Sequence, residues 1–166
     1  MAVRAVLRIP DPVLAAPSSP VGRIDDAARS LAEDLLDTMR ASPACVGLAA
    51  PQIGVGLRAF ALDVSGHKKA MSCHGEFVLF DPEVLAAGAP EVAREGCMSV
   101  PDLTGDVARA TRLTVAGTST EGARVVLEVD AFEARAVLHE MDHLDGKVFL
   151  DRVAGPHAVF ARRVYR

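Results

Sequence analysis

The sequence predicts an α+β fold, because several β-type runs are grouped between two helical segments instead of alternating with them. The chain has 166 residues, a length that suits one domain with one sizeable core. Half of the residues are hydrophobic, and no repeat, low-complexity tract or linker divides the chain. We therefore expect residues 1–166 to form a single domain.

The first helix is predicted from Asp25 to Arg40. Apolar residues recur there at helical spacing and form one stripe, made of Ala28, Leu31, Leu35 and Met39. The opposite face is polar. We expect an amphipathic helix that lies at the surface and buries this stripe.

Four short runs have the composition of β-strands. The first two, residues 58–64 and 76–80, are separated by a polar loop, and we expect them to pair. The other two, residues 112–119 and 123–129, flank Thr120, Glu121 and Gly122. A glycine in so short a connection is typical of a β-hairpin.

The second helix follows the hairpin directly. Asp130 is its expected N-cap, and Glu133 three residues later completes a capping-box pattern. Gly146 is expected to end the helix.

Composition excludes several classes of protein. A net charge of -4 gives no basic field for stand-alone nucleic-acid binding. The odd number of cysteines, three, does not form a disulfide framework, and the N-terminus has no continuous apolar stretch of a signal peptide. No apolar run approaches the ~18 residues of a membrane span. We therefore expect a reduced, cytoplasmic protein without membrane contact.

The second helix carries the clearest chemical motif, HEMDH. His139 and His143 are four residues apart, so both imidazoles can reach one metal ion while Glu140 points at a water on it. The three polar residues lie beside an apolar stripe formed by Val137, Leu138, Met141 and Leu144. The pattern predicts a metal site with its base, and the alternative is polar residues on a helix face.

A catalytic site of this kind needs a third protein ligand and an open position. Asp142 points off the histidine face and Asp145 lies at the helix end, so both, with Asp151, are expected to be solvated or to accept hydrogen bonds from a ligand imidazole. Cys97 lies in REGCMSVP, which is expected to be a loop. A small buried hydrophobic residue is the alternative for this cysteine.

Three motifs together resemble those of the peptide deformylase family in content and order: GLAAPQIG (residues 47–54), EGCMS (95–99) and HEMDH (139–143). The similarity runs from about Val3 to Val153. The resemblance implies a deformylase-like α+β fold, with antiparallel strands packed around a central helix that carries HEMDH and with an N-terminal helix.

The resemblance also implies roles for individual residues. Glu140 would be the general acid and base, and the amide of Gln52 and the backbone N–H of Met98 would face the formyl oxygen. Without the other motifs, Gln52 would be taken for a solvated surface amide. The implied metal ligands are Cys97, His139 and His143. The implied substrate-binding residues are Cys45, Val46, Gly47, Leu48, Glu95 and Gly96.

The implied reaction is removal of the formyl group from the N-terminal formyl-methionine of nascent polypeptides, with release of formate. One divalent metal ion is expected; the resemblance favours Fe²⁺, and Zn²⁺, Ni²⁺ or Co²⁺ also suit a Cys-His-His set. The expected partner is an N-formylated peptide or nascent chain, with a weak ribosome contact and a monomeric state as further expectations.

The chain departs from the family pattern at several positions. Cys45 replaces a glycine that would touch substrate, and Met98 replaces a leucine of similar volume. Thr104 stands where an arginine is frequent, and Arg109 follows five residues later. The basic C-terminal tip is expected to be solvated and consists of Arg162, Arg163 and Arg166.

Two other functions stay open at this point. A diverged, deformylase-like protein would bind metal and formyl-peptide with altered specificity or little turnover, and Cys45 and Thr104 favour it. The second alternative is a hydrolase of the H-E-x-x-H type that cuts internal peptide bonds. The EGCMS motif argues against this function.

Overall fold

The computed structural model describes residues 2–162. Within that range the chain forms two α-helices, α1 (Asp26–Ala41) and α2 (Ala131–Leu144). The strands in the same range are β1 (Gly47–Ala49), β2 (Ala59–Leu62), β3 (Phe77–Ala87), β4 (Pro90–Cys97), β5 (Val100–Ala110), β6 (Arg112–Thr118), β7 (Arg124–Asp130) and β8 (Val159–Ala161). The predicted α+β class is confirmed.

Helix α1 forms where the apolar stripe predicts it. Asp25 is the N-cap, and its carboxylate accepts a hydrogen bond from the backbone N–H of Ala28 at 2.9 Å. The stripe residues Leu31, Leu35 and Met39 are buried. They pack onto one face of a sheet, as an amphipathic helix must.

That sheet has five strands in the order β1-β2-β3-β6-β7. The predicted pairing of β2 with β3 and the predicted β6–β7 hairpin are confirmed, and both pairs are antiparallel. All of β2 is buried because both faces of the sheet are covered. Ala59 and Ala61 face the core under α1, whereas Phe60 and Leu62 face the core under α2.

Strand β3 continues seven residues beyond its predicted end at Phe80. The sequence hides this extension because Pro82 has no N–H to donate to a strand ladder. The pairing with β6 shifts between Phe80 and Glu83, and Asp81 has a φ of 48°, so the strand passes the proline through a bulge.

A second sheet has three strands in the order β4-β5-β8, and none of them is evident from the sequence. Most of β4 is exposed, so its apolar residues do not mark a buried face. Among the described residues, β4 is an edge strand of this sheet and β1 is an edge strand of the other. Both edges flank the functional site described below.

Helix α2 contacts strands of both sheets and is therefore central, as predicted. The predicted capping box does not form, because Asp130 makes no side-chain cap bond. Its carboxylate instead accepts from the N–H of Ser72 at 2.9 Å, and Glu133 accepts from Ser72 Oγ and from the N–H of His74, each at 2.8 Å. The two carboxylates anchor a distant loop. Neither α-helix within residues 2–162 has the length and apolar character needed to cross a bilayer.

Candidate metal centre

Three side chains from β4 and α2 converge on one point. The ligand atoms of Cys97, His139 and His143 all lie within 4.8 Å of one another, and the Cys97 sulfur is 3.3 Å from His143 Nε2. The two histidines come from successive turns of α2, which fixes their relative position. The structure therefore brings together the three residues expected to bind metal.

The prediction that Cys97 lies on a loop is wrong. Cys97 is the last residue of β4, only 7% exposed, and pairs with Val100 across the turn into β5. A register shift between Gly96 and Cys97 turns the chain at this point. The thiol is thus displayed from a sheet, which holds it more rigidly than a loop would.

The two ligand histidines differ in protonation, because burial dominates at His143 and hydrogen bonds dominate at His139. Burial, and then the nearby charge of His139, lower the pKa of His143 to about 3, so that imidazole is neutral. Burial also acts to lower the pKa of His139, but hydrogen bonds with Cys97 and Glu95 outweigh it and raise that pKa well above the usual range. A metal ion held there would take the place of the proton on His139, because a ligand imidazole binds in its neutral form.

These donors fit a divalent transition metal. Two imidazoles and one thiolate make a three-ligand set that leaves a position open, as catalytic sites do. The Nδ1 atom of His143 and the Oε2 atom of Glu140 are buried without a hydrogen-bond partner among the described residues. An unpartnered carboxylate oxygen beside the ligand cluster is suited to hold a water molecule there.

Glu95 orients the first histidine. Its Oε1 atom lies 2.8 Å from His139 Nδ1, and its two oxygens accept from Arg109 Nε and Nη2 at 2.9 and 3.0 Å. Arg135 Nη1 donates to Oε2 at 2.8 Å. Burial would raise the pKa of Glu95, yet the hydrogen bonds from His139 and Arg109 lower it to about 2. Although Glu95 was expected to touch substrate, its described bonds go to protein side chains.

The prediction for Asp142, that it is solvated or accepts a hydrogen bond from a ligand imidazole, is also wrong. Asp142 is only 6% exposed and forms ion pairs with Arg109 at 2.5 Å and Arg152 at 2.9 Å. Arg109 therefore links Asp142 to Glu95 behind the metal ligands. Asp145 pairs with Arg58 at 3.0 Å at the end of α2.

Replacement of Glu95 by glutamine is expected to destabilise the protein by about 3 kcal/mol, because it leaves the buried Arg109 without its full counter-charge. Metal affinity is expected to fall roughly 10–100-fold, since the orienting bond to His139 weakens. Urea unfolding of the metal-free protein and competition with a metal chelator measure the two effects.

The matched control is Glu83→Gln, which removes a charge from an exposed position of β3. It is expected to change the free energy of unfolding by no more than about 0.5 kcal/mol. Equal stability of the two variants would contradict the role given to Glu95.

Gln52 is buried, 2% exposed, and not a solvated amide. It lies in a short 3₁₀ turn, Ala50–Ile53, and its Oε1 accepts from the N–H of Ala49 at 2.9 Å. Its Nε2 donates to Ser99 Oγ at 3.1 Å and to the Cys97 sulfur at 3.5 Å. The amide nitrogen of Gln52 therefore lies between Ser99 and the expected metal ligand Cys97.

Glu140 is buried against β1, where a Cβ atom on Gly47 would lie 2.7 Å from Glu140 Oε1. Burial raises the pKa of Glu140 to about 7; the charge of His139 opposes this rise and that of Glu95 adds to it. A carboxyl group with a pKa near neutrality and an open acceptor oxygen can both take up and release a proton.

A cavity of about 320 Å³ opens between the edges of β1 and β4. Its wall includes most of the predicted substrate-binding residues, namely Cys45, Val46, Gly47, Glu95 and Gly96. Met98 also lines the cavity, whereas Leu48 is fully buried in the core under α1 and does not.

Several wall residues were not predicted from the sequence: Pro43, Ala44, His67, Arg94, Phe132, Arg135 and Ala136. Of these residues, Arg135 and Ala136 could have been predicted from the sequence. They lie one helical turn before His139 and must share its face of α2. Arg162 of the basic tip is exposed, as expected, but it also lines the cavity and donates to the Cys97 carbonyl at 3.3 Å. Arg163 and Arg166 lie outside the described residues.

Cys45 occupies the cavity wall beside Gly47. Its sulfur donates a hydrogen bond to the Gly47 carbonyl at 3.2 Å. Burial, and then the charge of Glu140, raise the pKa of Cys45 to about 12, so the side chain stays a thiol and keeps its proton for that bond.

Known proteins are similar to this chain in sequence and in fold. The family model described as polypeptide deformylase matches residues 3–158. A peptide deformylase from Desulforudis audaxviator is 45% identical over 92% of this chain and 94% of its own length. A solved peptide deformylase from Legionella pneumophila has a TM-score of 0.85 and 35% identity, covering 94% of this chain and 88% of that one. The peptide deformylase of Acinetobacter baumannii, solved bound to Met-Ala-Ser, has a TM-score of 0.84 and 29% identity over 92% of this chain and 100% of that one. This chain belongs to the polypeptide deformylase family.

Proposed function

We propose that this chain is a metal-dependent hydrolase that removes the formyl group from the N-terminal formyl-methionine of nascent polypeptides and releases formate. The observation that carries the proposal is the convergence of Cys97, His139 and His143 beside a buried carboxylate oxygen of Glu140 that has no hydrogen-bond partner within residues 2–162. This arrangement opens into a cavity between two strand edges, where a peptide N-terminus has room to enter.

The substrate binds as an added strand. Edge strands offer unpaired N–H and C=O groups, and an extended peptide can pair with them. Gly47 on β1 and Gly96 on β4 both line the cavity, and neither has a side chain that would hold the peptide backbone away. The Acinetobacter baumannii relative bound to Met-Ala-Ser supports a peptide ligand of this kind.

Glu140 carries the proton through the reaction. It takes a proton from the attacking water, the oxygen of that water bonds to the formyl carbon, and the carbon–nitrogen bond then breaks. Glu140 returns the proton to the leaving amine, so the products are formate and a free N-terminus. A group that acts first as base and then as acid works best with a pKa near the working pH.

Negative charge develops on the formyl oxygen during this attack. In this proposal the Gln52 amide and the backbone N–H of Met98 donate to it; both residues line the cavity, and Gln52 Nε2 donates to the Cys97 sulfur. Such preorganised donors are worth about 3–4 kcal/mol each in comparable sites. A divalent ion held by Cys97, His139 and His143 would act as a Lewis acid toward the formyl group and the water.

We propose Fe²⁺ as the metal in the cell, with Zn²⁺, Ni²⁺ and Co²⁺ as other ions that this ligand set accepts. We also propose that the whole chain acts as one monomeric domain in the cytoplasm, where nascent chains emerge. A weak ribosome contact remains part of the proposal.

The test is formate release from formyl-Met-Ala-Ser by protein purified anaerobically and loaded with iron. Turnover that needs the metal supports the proposal. No formate release at full metal occupancy would reject it, and tight binding of the same peptide in that case would identify a binding protein instead. Cleavage of unformylated peptides at internal bonds would point to a different hydrolase.

Replacement of Cys45 by glycine is expected to lower the KM for formyl-Met-Ala-Ser about fivefold. The change frees the Gly47 carbonyl from the Cys45 thiol, and a hydrogen bond from the peptide is worth about 1 kcal/mol. Steady-state kinetics measure this effect.

The control is Cys73→Gly, because Cys73 is exposed and does not line the cavity. Its KM is expected to match that of the unmodified protein. A Cys45→Gly variant with unchanged or higher KM would show that the thiol does not compete with substrate.

A further inference from the structure

Arg162 reaches the cavity from the far side of the second sheet. Strand β8 pairs with β5, and Thr104 lies between Phe160 on β8 and Gly96 on β4. Past the end of β8, the backbone N–H of Arg162 donates to the Asp102 carbonyl at 3.0 Å. The chain therefore carries the Arg162 side chain across β5 to the edge strand that borders the cavity.

The guanidinium lies directly beside the edge where a peptide would bind. Arg162 Nη2 donates to the Cys97 carbonyl at 3.3 Å and lies 2.6 Å from the position that a Cβ atom on Gly96 would take. The space that a side chain at Gly96 would fill is thus occupied by a positive charge. A peptide that pairs with β4 passes next to it.

No carboxylate in the part of the chain that the structure describes neutralises the charge of Arg162. The other two arginines in the wall are paired: Arg94 with Asp106 at 2.8 Å and Arg135 with Glu95 at 2.8 Å. A guanidinium has five N–H donors, and this one makes a single described side-chain hydrogen bond.

We propose that Arg162 is a specificity-determining residue that binds a carboxylate side chain of the substrate, downstream of the formylated methionine. From the segment that follows β8, its guanidinium reaches the space above Gly96, which the Thr104 side chain also borders. A guanidinium–carboxylate pair is charge-assisted and directional, so it favours acidic residues near the peptide N-terminus. This inference rests on the proposed deformylase function.

The experiment compares amidated peptides that differ by one charge. Formyl-Met-Ala-Asp-amide and formyl-Met-Asp-Ala-amide are measured against their Asn counterparts, so that no terminal carboxylate contributes. We expect a lower KM for an Asp peptide by about three- to fivefold at low salt, with kcat unchanged, because a solvent-exposed pair is modest in strength. The preference is expected to shrink as salt is raised.

Three variants assign the effect. Arg162→Ala is expected to bring the Asp-to-Asn ratio of KM values to about one, and Arg162→Lys to retain part of the preference. The control Arg124→Ala removes the same charge from an exposed position of β7 outside the cavity, and the ratio is expected to stay as in the unmodified protein.

Two results would overturn the inference: no difference between Asp and Asn peptides in the unmodified protein, or a preference that survives in Arg162→Ala. Absence of formate release from every peptide would reject the proposed function and not this inference. In that case the test of Arg162 is binding of the products to the zinc-loaded protein. The products are Met-Ala-Asp-amide, Met-Asp-Ala-amide and their Asn counterparts, and the Asp-to-Asn ratio of Kd values replaces the ratio of KM values.

Discussion

Replacing Glu140 with glutamine is expected to lower kcat for formate release roughly a thousandfold, while the protein still binds one metal ion. Glutamine fills the same space but accepts no proton from water and returns none to the amine, and proton transfer of this kind contributes about 10²–10⁴ to a rate. Formate release and metal content are measured on the same preparation. The control is Glu128→Gln, at an exposed position of β7.

The same variant is expected to be more stable than the unmodified protein when both are metal-free. The pKa of Glu140 is raised to about 7, mainly by burial, from an ordinary value of 4.5, so ionisation of this group opposes folding. Below pH 4.5 this ionisation does not reduce the free energy of unfolding. The reduction grows as the pH rises from 4.5 toward 7, and above pH 7 it amounts to about 3 kcal/mol. Thermal unfolding of both metal-free proteins across this pH range tests the prediction. The Tm of Glu140→Gln must exceed that of the unmodified protein by an amount that increases with pH.

Together the two measurements separate chemistry from folding. A variant that is inactive, metal-bound and more stable has lost its proton carrier and nothing else. More than about a tenth of the original kcat in Glu140→Gln would mean that another group carries the proton.

The parts of the site that the sequence predicts are those that depend on local spacing. Helix periodicity alone places His139 and His143 on one face with Glu140 between them. Cys97 lies more than forty residues upstream, and no local pattern connects it to α2; only the resemblance to a family identified it as a ligand. Its strand escaped notice because β4 is mostly exposed and lacks a continuous apolar face.

Long-range polar contacts overrode local expectations in two places. Asp142 has the helix position of a solvated residue, yet Arg109, 33 residues away, holds it in the interior. The capping-box pattern at Asp130 and Glu133 gave way to bonds with Ser72, 58 and 61 residues away. In each case a hydrogen-bond partner from a distant part of the chain holds a carboxylate away from solvent, and spacing along the chain does not reveal that partner.

Gly47 packs directly against the side chain of Glu140, so a change at this position also affects the proposed catalytic group. It lies at the start of β1, and a Cβ atom there would be 2.7 Å from Oε1, 3.0 Å from Cγ and 3.1 Å from Cδ of Glu140. Contacts this short force the carboxylate to move. The neighbouring wall is packed, so we expect the displaced side chain to turn into the cavity, where it no longer faces the formyl group.

The variant Gly47→Ala is therefore expected to lower kcat about a hundredfold, the usual cost of misplacing a catalytic group by about 1 Å. Metal content and Tm are expected to change little, because alanine is acceptable in a strand and the metal ligands are untouched. Gly56→Ala is the matched control, since a Cβ atom there meets nothing within 4 Å. The decisive comparison adds Gly47→Ala to Glu140→Gln: if the alanine acts through the carboxylate, the second change costs almost nothing in kcat. A further hundredfold loss in the double variant would mean that Gly47 serves catalysis by contacting the peptide instead.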